Sequence, residues 1–309
     1  LTARDTASRD APPTSPSPFA AGQPDLTELI RVAVPERSLR ADLRAVSIVW
    51  RRELIRFRSD RLRAITSLVQ PVLFLFVLGT GLSQLAARGM PADFDFKTFI
   101  YPGVLAMSVM FTAIFSAASI VWDREFGFLR EMLVAPVRRW AIVIGKCLGG
   151  ATVATFQGVI FLALAGLAHV PYDPVLLLTL VGELLLLSFT LTAFGVMMAA
   201  RIKQIQAFMA LTQLFVLPLF FLSGALYPLS GLPAWLTVLT RVDPLTYVVD
   251  PMRRAVFDHL TVSPQALDAL SPGVTWAGWL VPLGLSLTIV AVMGLAMLGV
   301  AIAEFRKTE

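Results

Sequence analysis

Residues Trp122–Trp140 read WDREFGFLREMLVAPVRRW. Four arginines, two glutamates and an aspartate fall inside this stretch, and on each side lie more than twenty residues almost free of charge. The stretch is amphipathic as well as charged. Phe126, Leu129, Met132 and Leu133 recur at helical spacing and share a face, while Arg124, Glu125, Arg130 and Glu131 supply both charge signs. Pro136 ends the helix expected over 123–136, and Arg138 and Arg139 lead back into an apolar run. A loop that merely set membrane topology would need the arginines, but neither the acids nor the apolar stripe. A short helix that docks on another protein uses both: the stripe enters a groove and the charges fix register and partner.

The flanking runs are long enough to cross a bilayer, which takes about 20 apolar residues. The chain has 309 residues, 56% hydrophobic and 15% charged. Segments 64–87, 98–122, 147–172, 174–200, 206–226 and 269–303 are the six expected spans, with Glu183 the one acid in the fourth and Pro218 a kink in the fifth. Between the last two, GLPAW, RVDPLTY and VVDPMRR offer three helix starts, at Pro233, Asp243-Pro244 and Asp250-Pro251. They predict short re-entrant helices over 227–260. Twenty of the 26 Lys and Arg residues flank the spans on one side, five lie on the other, and Lys146 sits at the start of span 3. The positive-inside bias places both termini in the cytoplasm and makes the chain a multi-pass protein of a bacterial plasma (inner) membrane.

Four regions follow. Residues 1–37 are an irregular tail, rich in Pro, Ser and Ala at its start. Residues 38–63 form an amphipathic helix with Leu39, Leu43, Val46, Trp50, Leu54 and Phe57 on one face, its arginines set toward lipid headgroups. Residues 64–303 are the six-span domain, and 304–309 a short tail. The fold class is all-α integral membrane protein. The one cysteine, Cys147, excludes an intrachain disulfide, and the isolated His169 and His259 give no metal site. An intramembrane hydrolase lacks a base at membrane depth. A channel or secondary transporter would leave the docking helix without a purpose, and no inverted repeat is visible.

Arg124, Glu125, Gly127, Leu129, Pro136, Arg138, Gly145 and Lys146 together resemble the motif that follows span 2 in the membrane subunit of ABC-2 type exporters. QPVLFLFVLGTGL at Gln70–Leu82 and FLSGALYPLSGLPAWLTVLTRVDPLTYVVDPMRR at 221–254 resemble two further patches of that family. The daunorubicin-resistance type of permease is the most similar branch. Phe128-Leu129-Arg130 stands where the family often has Thr-Leu-Glu. The resemblance implies a coupling helix built from Arg124, Glu125, Gly127, Leu129, Arg130, Glu131 and Leu133 that seats on a separate ATPase subunit. It also implies a second copy or a sister permease, met through spans 1 and 5, and an amphiphilic drug-like or lipid cargo, with a lipid-linked glycan or polymer as the alternative. No G-x-x-x-x-G-K-[ST] loop is present, so ATP and magnesium belong to the partner ATPase and this chain is read as no enzyme and as holding no cofactor. Membrane lipids are partners; nucleic acid is not.

Gln70, Phe74, Phe111, Glu183, Gln213 and Phe220 are candidates for the translocation path, since polar and aromatic residues inside spans line routes as well as bond helices together. A carboxylate as deep as Glu183 must pair, face water or take up a proton. Lys146, near a span end, is expected to snorkel to the headgroups.

Overall fold

The computed structural model describes residues 38–83, 95–127, 137–229, 231–260, 271, 273–276 and 278–307. The expected tail over 1–37 and the 128–136 part of the docking stretch lie outside the described residues.

Among those residues, six helical segments are long and apolar enough to cross a membrane. Helix α1 (Leu39–Ser59) precedes them, N-capped by Ser38, whose hydroxyl accepts from the Ala41 amide. The helix expected over 38–63 stops at Asp60, where φ −98° and ψ 63° turn the chain into α2 (Arg61–Gly81), span 1. Span 2 is α3 (Phe96–Ser116) followed after Ala117 by α4 (Ala118–Glu125). Span 3 is α5 (Arg139–Leu162), which begins well before the apolar run at 147. Spans 4 and 5 are α6 (Pro174–Arg201) and α7 (Ile205–Leu222), joined by a three-residue turn. Two short helices follow, α8 (Ala234–Val242) and α9 (Thr246–Asp258). A two-stranded hairpin, β1 (Thr275–Trp276) and β2 (Trp279–Leu280), leads to span 6, α10 (Leu283–Lys307). Span 6 therefore starts later than the expected residue 269.

The start at Pro233 exists, as the N-cap of α8. The second comes later than Asp243-Pro244: α9 begins at Thr246 with Leu245 as its N-cap, and the Asp243 carboxylate accepts from the Leu245 amide in the turn ahead of it. The third start does not exist. Asp250 and Pro251 lie inside α9, where the Asp250 carboxylate bonds Arg254 instead of opening a new helix.

Span 2 is the hub. Of its apolar window 78% is buried, against 17% for α2, 22% for α7 and 28% for α10. It is 30 residues long, about 45 Å of helix where the hydrocarbon layer needs about 30 Å. Span 2 therefore outruns the bilayer, and the docking stretch begins at the end that carries Asp123, Arg124 and Glu125. Phe99, Tyr101, Leu105 and Met110 of α3 pack with Phe161 of α5 and Leu184 and Leu187 of α6. Inside lipid such packing is stabilised by close contact more than by exclusion of water.

Candidate functional site

The docking stretch leaves the membrane domain at a junction of buried charges. Helix α1 lies tight against α5, because a Cβ at Gly145 would stand 2.8 Å from Val49 Cβ and one at Gly149 2.7 Å from Glu53 Cβ. That approach presses the buried face of α1, with Asp42, Val49 and Glu53, onto the start of span 3. There Lys146 Nζ donates to Glu53 Oε1 at 2.6 Å, to Asp123 Oδ2 at 2.7 Å and to Ser119 Oγ at 3.0 Å. An ammonium has three donors, and all three are used. Arg52 adds a longer contact, Nη2 to Asp123 Oδ1 at 3.4 Å. Lys146 is 5% exposed, so it does not snorkel: it lies on the second turn of α5, and α1 and α4 bring acids to it. A second clasp fixes the start of α1, where the Arg138 amide donates to Asp42 Oδ1 at 3.0 Å.

Arg124 and Glu125 sit at the tip of span 2, and their bonds run inward. Arg124 Nη1 donates to the carbonyls of Ala199, at 3.0 Å, and Ile202, at 2.7 Å, and its guanidinium lies 5.6 Å from the Phe305 ring centroid. It thereby satisfies carbonyls that the end of α6 leaves open. Glu125 Oε2 accepts from the Ile205 amide at 3.0 Å and caps α7, whose own N-cap residue Gln204 makes no such bond. The Arg-Glu pair thus staples the turn between spans 4 and 5 to the tip of span 2. Arg139 donates to the Phe305 carbonyl at 3.1 Å, and Arg201 pairs with Glu304 at 2.7 Å, so α10 is tied in at the same end.

Gly127, at φ +82°, takes the left-handed backbone that ends the helix. A docking helix continuous from 123 is therefore corrected: residues 118–125 complete span 2, and the chain turns at Phe126 and Gly127. Phe126 is 71% exposed. Leu129, Arg130, Glu131 and Leu133 lie outside the described residues.

Beside the junction is a cleft of about 440 Å³ between α1, α2, span 2 and α5. Glu53, Arg56, Asp60 and Ser119 line it with Trp122; Phe57, Phe111, Phe115, Val153 and Met209 line it with apolar surface. The rings of Phe111 and Phe115 stack, 6.2 Å apart.

The ABC-2 type transporter family profile matches residues 44–257, more than two thirds of the chain. The protein belongs to that family. Its relatives include the putative transport permease ycf38 of Cyanophora paradoxa, 28% identical over 67% of this chain and 72% of that protein. The probable multidrug ABC transporter permease YbhR of Escherichia coli K12 is 33% identical over 51% of this chain and 43% of its own length. Nodulation protein J of Rhizobium leguminosarum bv. trifolii is 28% identical over 69% of this chain and 82% of that protein.

The structure brings two of the six path candidates of this ABC-2 permease into contact and leaves the others apart. Phe111 lines the cleft. Phe74 and Phe220 meet edge to face, 6.1 Å apart, and close the contact between spans 1 and 5. Gln70 and Gln213 are exposed on α2 and α7, the two least buried spans. Glu183 is 3% exposed on α6, and neither carboxylate oxygen has a hydrogen-bond partner among the described residues, so of the three options pairing is not the one found there.

The far end of the permease holds a second polar core that sequence reading missed. Arg253 of α9 is fully enclosed: Nη2 donates to the carbonyls of Gly224, at 2.7 Å, and Ala225, at 3.2 Å, and its guanidinium lies 4.1 Å from the Phe99 ring centroid. Burial pulls this guanidinium down to about 10, which leaves it charged at neutral pH. Asp250 holds Arg254 at 2.6 Å, and burial raises its carboxyl above the usual range while both arginines oppose the rise. Helix α9 is thus held through backbone carbonyls of span 2, at Phe99, and of the segment just after span 5, whereas α8 buries only Thr240.

Proposed function

We propose that this permease is the membrane subunit of an ATP-driven exporter, working with a separate ATPase that seats on residues 128–136. The junction carries the reading. A displacement of the docking stretch acts directly on Asp123, Arg124 and Glu125, and these three side chains hold α1, α5, α6, α7 and the end of α10. A charged loop with a purely topological role has no use for that fastening. The cargo is an amphiphilic drug-like or lipid molecule moved out of the cytoplasm or its membrane leaflet, and both termini are cytoplasmic in a bacterial plasma membrane. YbhR, named a multidrug permease, supports this class of cargo.

The permease acts as a dimer, with itself or with a sister chain, through spans 1 and 5. Gln70 and Gln213 support this, because lipid cannot satisfy an exposed amide and a facing helix can.

The test is Leu129→Asp. A carboxylate placed in an apolar groove costs roughly 1–3 kcal/mol, which is enough to lower ATPase co-purification and cargo-stimulated ATP turnover at an unchanged membrane level. Wild-type ATPase binding and export in this variant would overturn the reading.

A further inference from the structure

We propose that Glu183 of span 4 is a proton-binding site of the membrane bundle: in this packing its side chain is a neutral carboxylic acid, and it ionises when water reaches it. Glu183 lies nine residues past Pro174, where α6 begins. That is about 14 Å of helix, inside a hydrocarbon layer about 30 Å thick. It is 3% exposed, and both carboxylate oxygens are buried without a hydrogen bond among the described residues. Leu180 and Leu187, one turn to either side on the same face, are wholly buried. A charge in such surroundings has neither water nor fixed dipoles to hold it, and the group is neutralised instead.

A proton is what remains, because the cations nearby are committed elsewhere. Helix α6 packs against spans 2, 3, 5 and 6 and against α9. On α9, Arg253 bonds the carbonyls of Phe99, Gly224 and Ala225, and Arg254 is held by Asp250 at 2.6 Å. Tyr247 gives its hydroxyl to the Arg241 carbonyl, and Asp258 is exposed. The charge of Asp250 does reach Glu183, and it has the same sign. On span 2, Lys97 lies against Gly79 of α2, Tyr101 gives its hydroxyl to the Phe161 carbonyl, and Asp123, Arg124 and Glu125 stand at the far end. Lys146 of span 3 is held in the junction, and Cys147 meets α6 further along, at the Phe189 carbonyl. Residues 147–162 of span 3, span 5 and residues 283–303 of span 6 carry no charge.

Span 6 supplies a hydroxyl. Thr190 donates to the Val290 carbonyl at 3.1 Å and Arg201 pairs with Glu304, so α6 and α10 run side by side in one direction. Glu183 is two turns before Thr190. Ser286 is one turn before Val290, 1% exposed, and its Oγ also lacks a partner among the described residues. The two stand at nearly one level of this contact. A carboxylate can only accept there, whereas a carboxylic acid can donate as well. The site also ties protonation to packing. A movement of α9 or α10 away from α6 that admits water releases the proton, so acid favours the packed form and base the opened one.

The full chain, with glutamate isotope-labelled at its side-chain carboxyl carbon, is purified in a detergent free of ester groups and read by infrared spectroscopy at pH 7. A protonated carboxyl absorbs apart from a carboxylate, and the label separates glutamate from aspartate. The wild type should show the protonated band of one glutamate, and Glu183→Gln should lose it entirely. Absence of the band from the wild type, or an undiminished band in folded Glu183→Gln, would overturn the proposal. Where Glu183→Gln does not fold, the labelled wild type decides alone, because Glu53, the other buried glutamate among the described residues, is held by Lys146 at 2.6 Å. The readout involves no cargo, ATP or ATPase, so its failure leaves the export reading standing.

Discussion

Lys146→Met removes the cation from between Glu53 and Asp123 and leaves both carboxylates in a buried place. Each ion pair, at 2.6 and 2.7 Å, is an attraction of about 6 kcal/mol at an effective dielectric of 20, offset by desolvation of a similar order. The net worth of the cluster is small. The loss on breaking it is not, because removing one partner of a buried pair costs about 3–5 kcal/mol. In a domain of this size that corresponds to a thermal midpoint lower by about 10 °C. The triple variant Lys146→Met, Glu53→Gln, Asp123→Asn removes every buried charge of the cluster, since the side chain of Arg52 is 47% exposed. It should recover most of the loss. The assay is thermal unfolding of the detergent-purified chain, followed by tryptophan fluorescence. A single variant as stable as wild type would mean that Lys146 does reach the headgroups, and a triple variant as weak as the single one would mean that the loss comes from packing and not from charge.

Glu125→Ala should free the Ile205 amide and speed hydrogen exchange over the first turn of α7, an effect of about 1 kcal/mol for a lost cap; Glu125→Gln, which keeps an acceptor oxygen, should exchange as wild type does. Burial pushes the Asp243 carboxyl well above the usual carboxylate range, against the pull of the Leu245 amide and the Thr246 side chain. Its folded value is thus above its unfolded value of about 4, so its contribution to stability is present at acid pH and is lost as pH rises through the folded value. Asp243→Asn should flatten that fall, and parallel melting curves for the two proteins between pH 5 and pH 9 would refute the assignment.

The six spans were legible because length and lack of charge are properties of contiguous residues, and lipid demands both. The Pro233 helix start was legible for the same reason, since it needs only its own neighbours. The partners of Lys146 were not, because they arrive from 93 and 23 residues away, on helices whose packing the chain does not spell out locally. One local signal does bear on them. Asp42, Val49 and Glu53 share a face of α1, so acids in an otherwise basic segment marked a side that turns away from anionic headgroups. Of the stripe expected to face the membrane, Leu39 and Leu43 are each 64% exposed, while Val46, Trp50, Leu54 and Phe57 are half-buried, Trp50 donating to Thr152 and Phe57 meeting Phe156 of α5. Arg124 and Glu125 show the reverse limit. Resemblance assigned them to the ATPase, and the structure spends their bonds on the ends of α6 and α7. The two roles are compatible, since a staple at the root of a docking stretch is where a push would be passed on. They separate in their chemistry: loss of Glu125 should disturb the turn between spans 4 and 5 whether or not an ATPase is present, whereas Leu129→Asp should act when one docks.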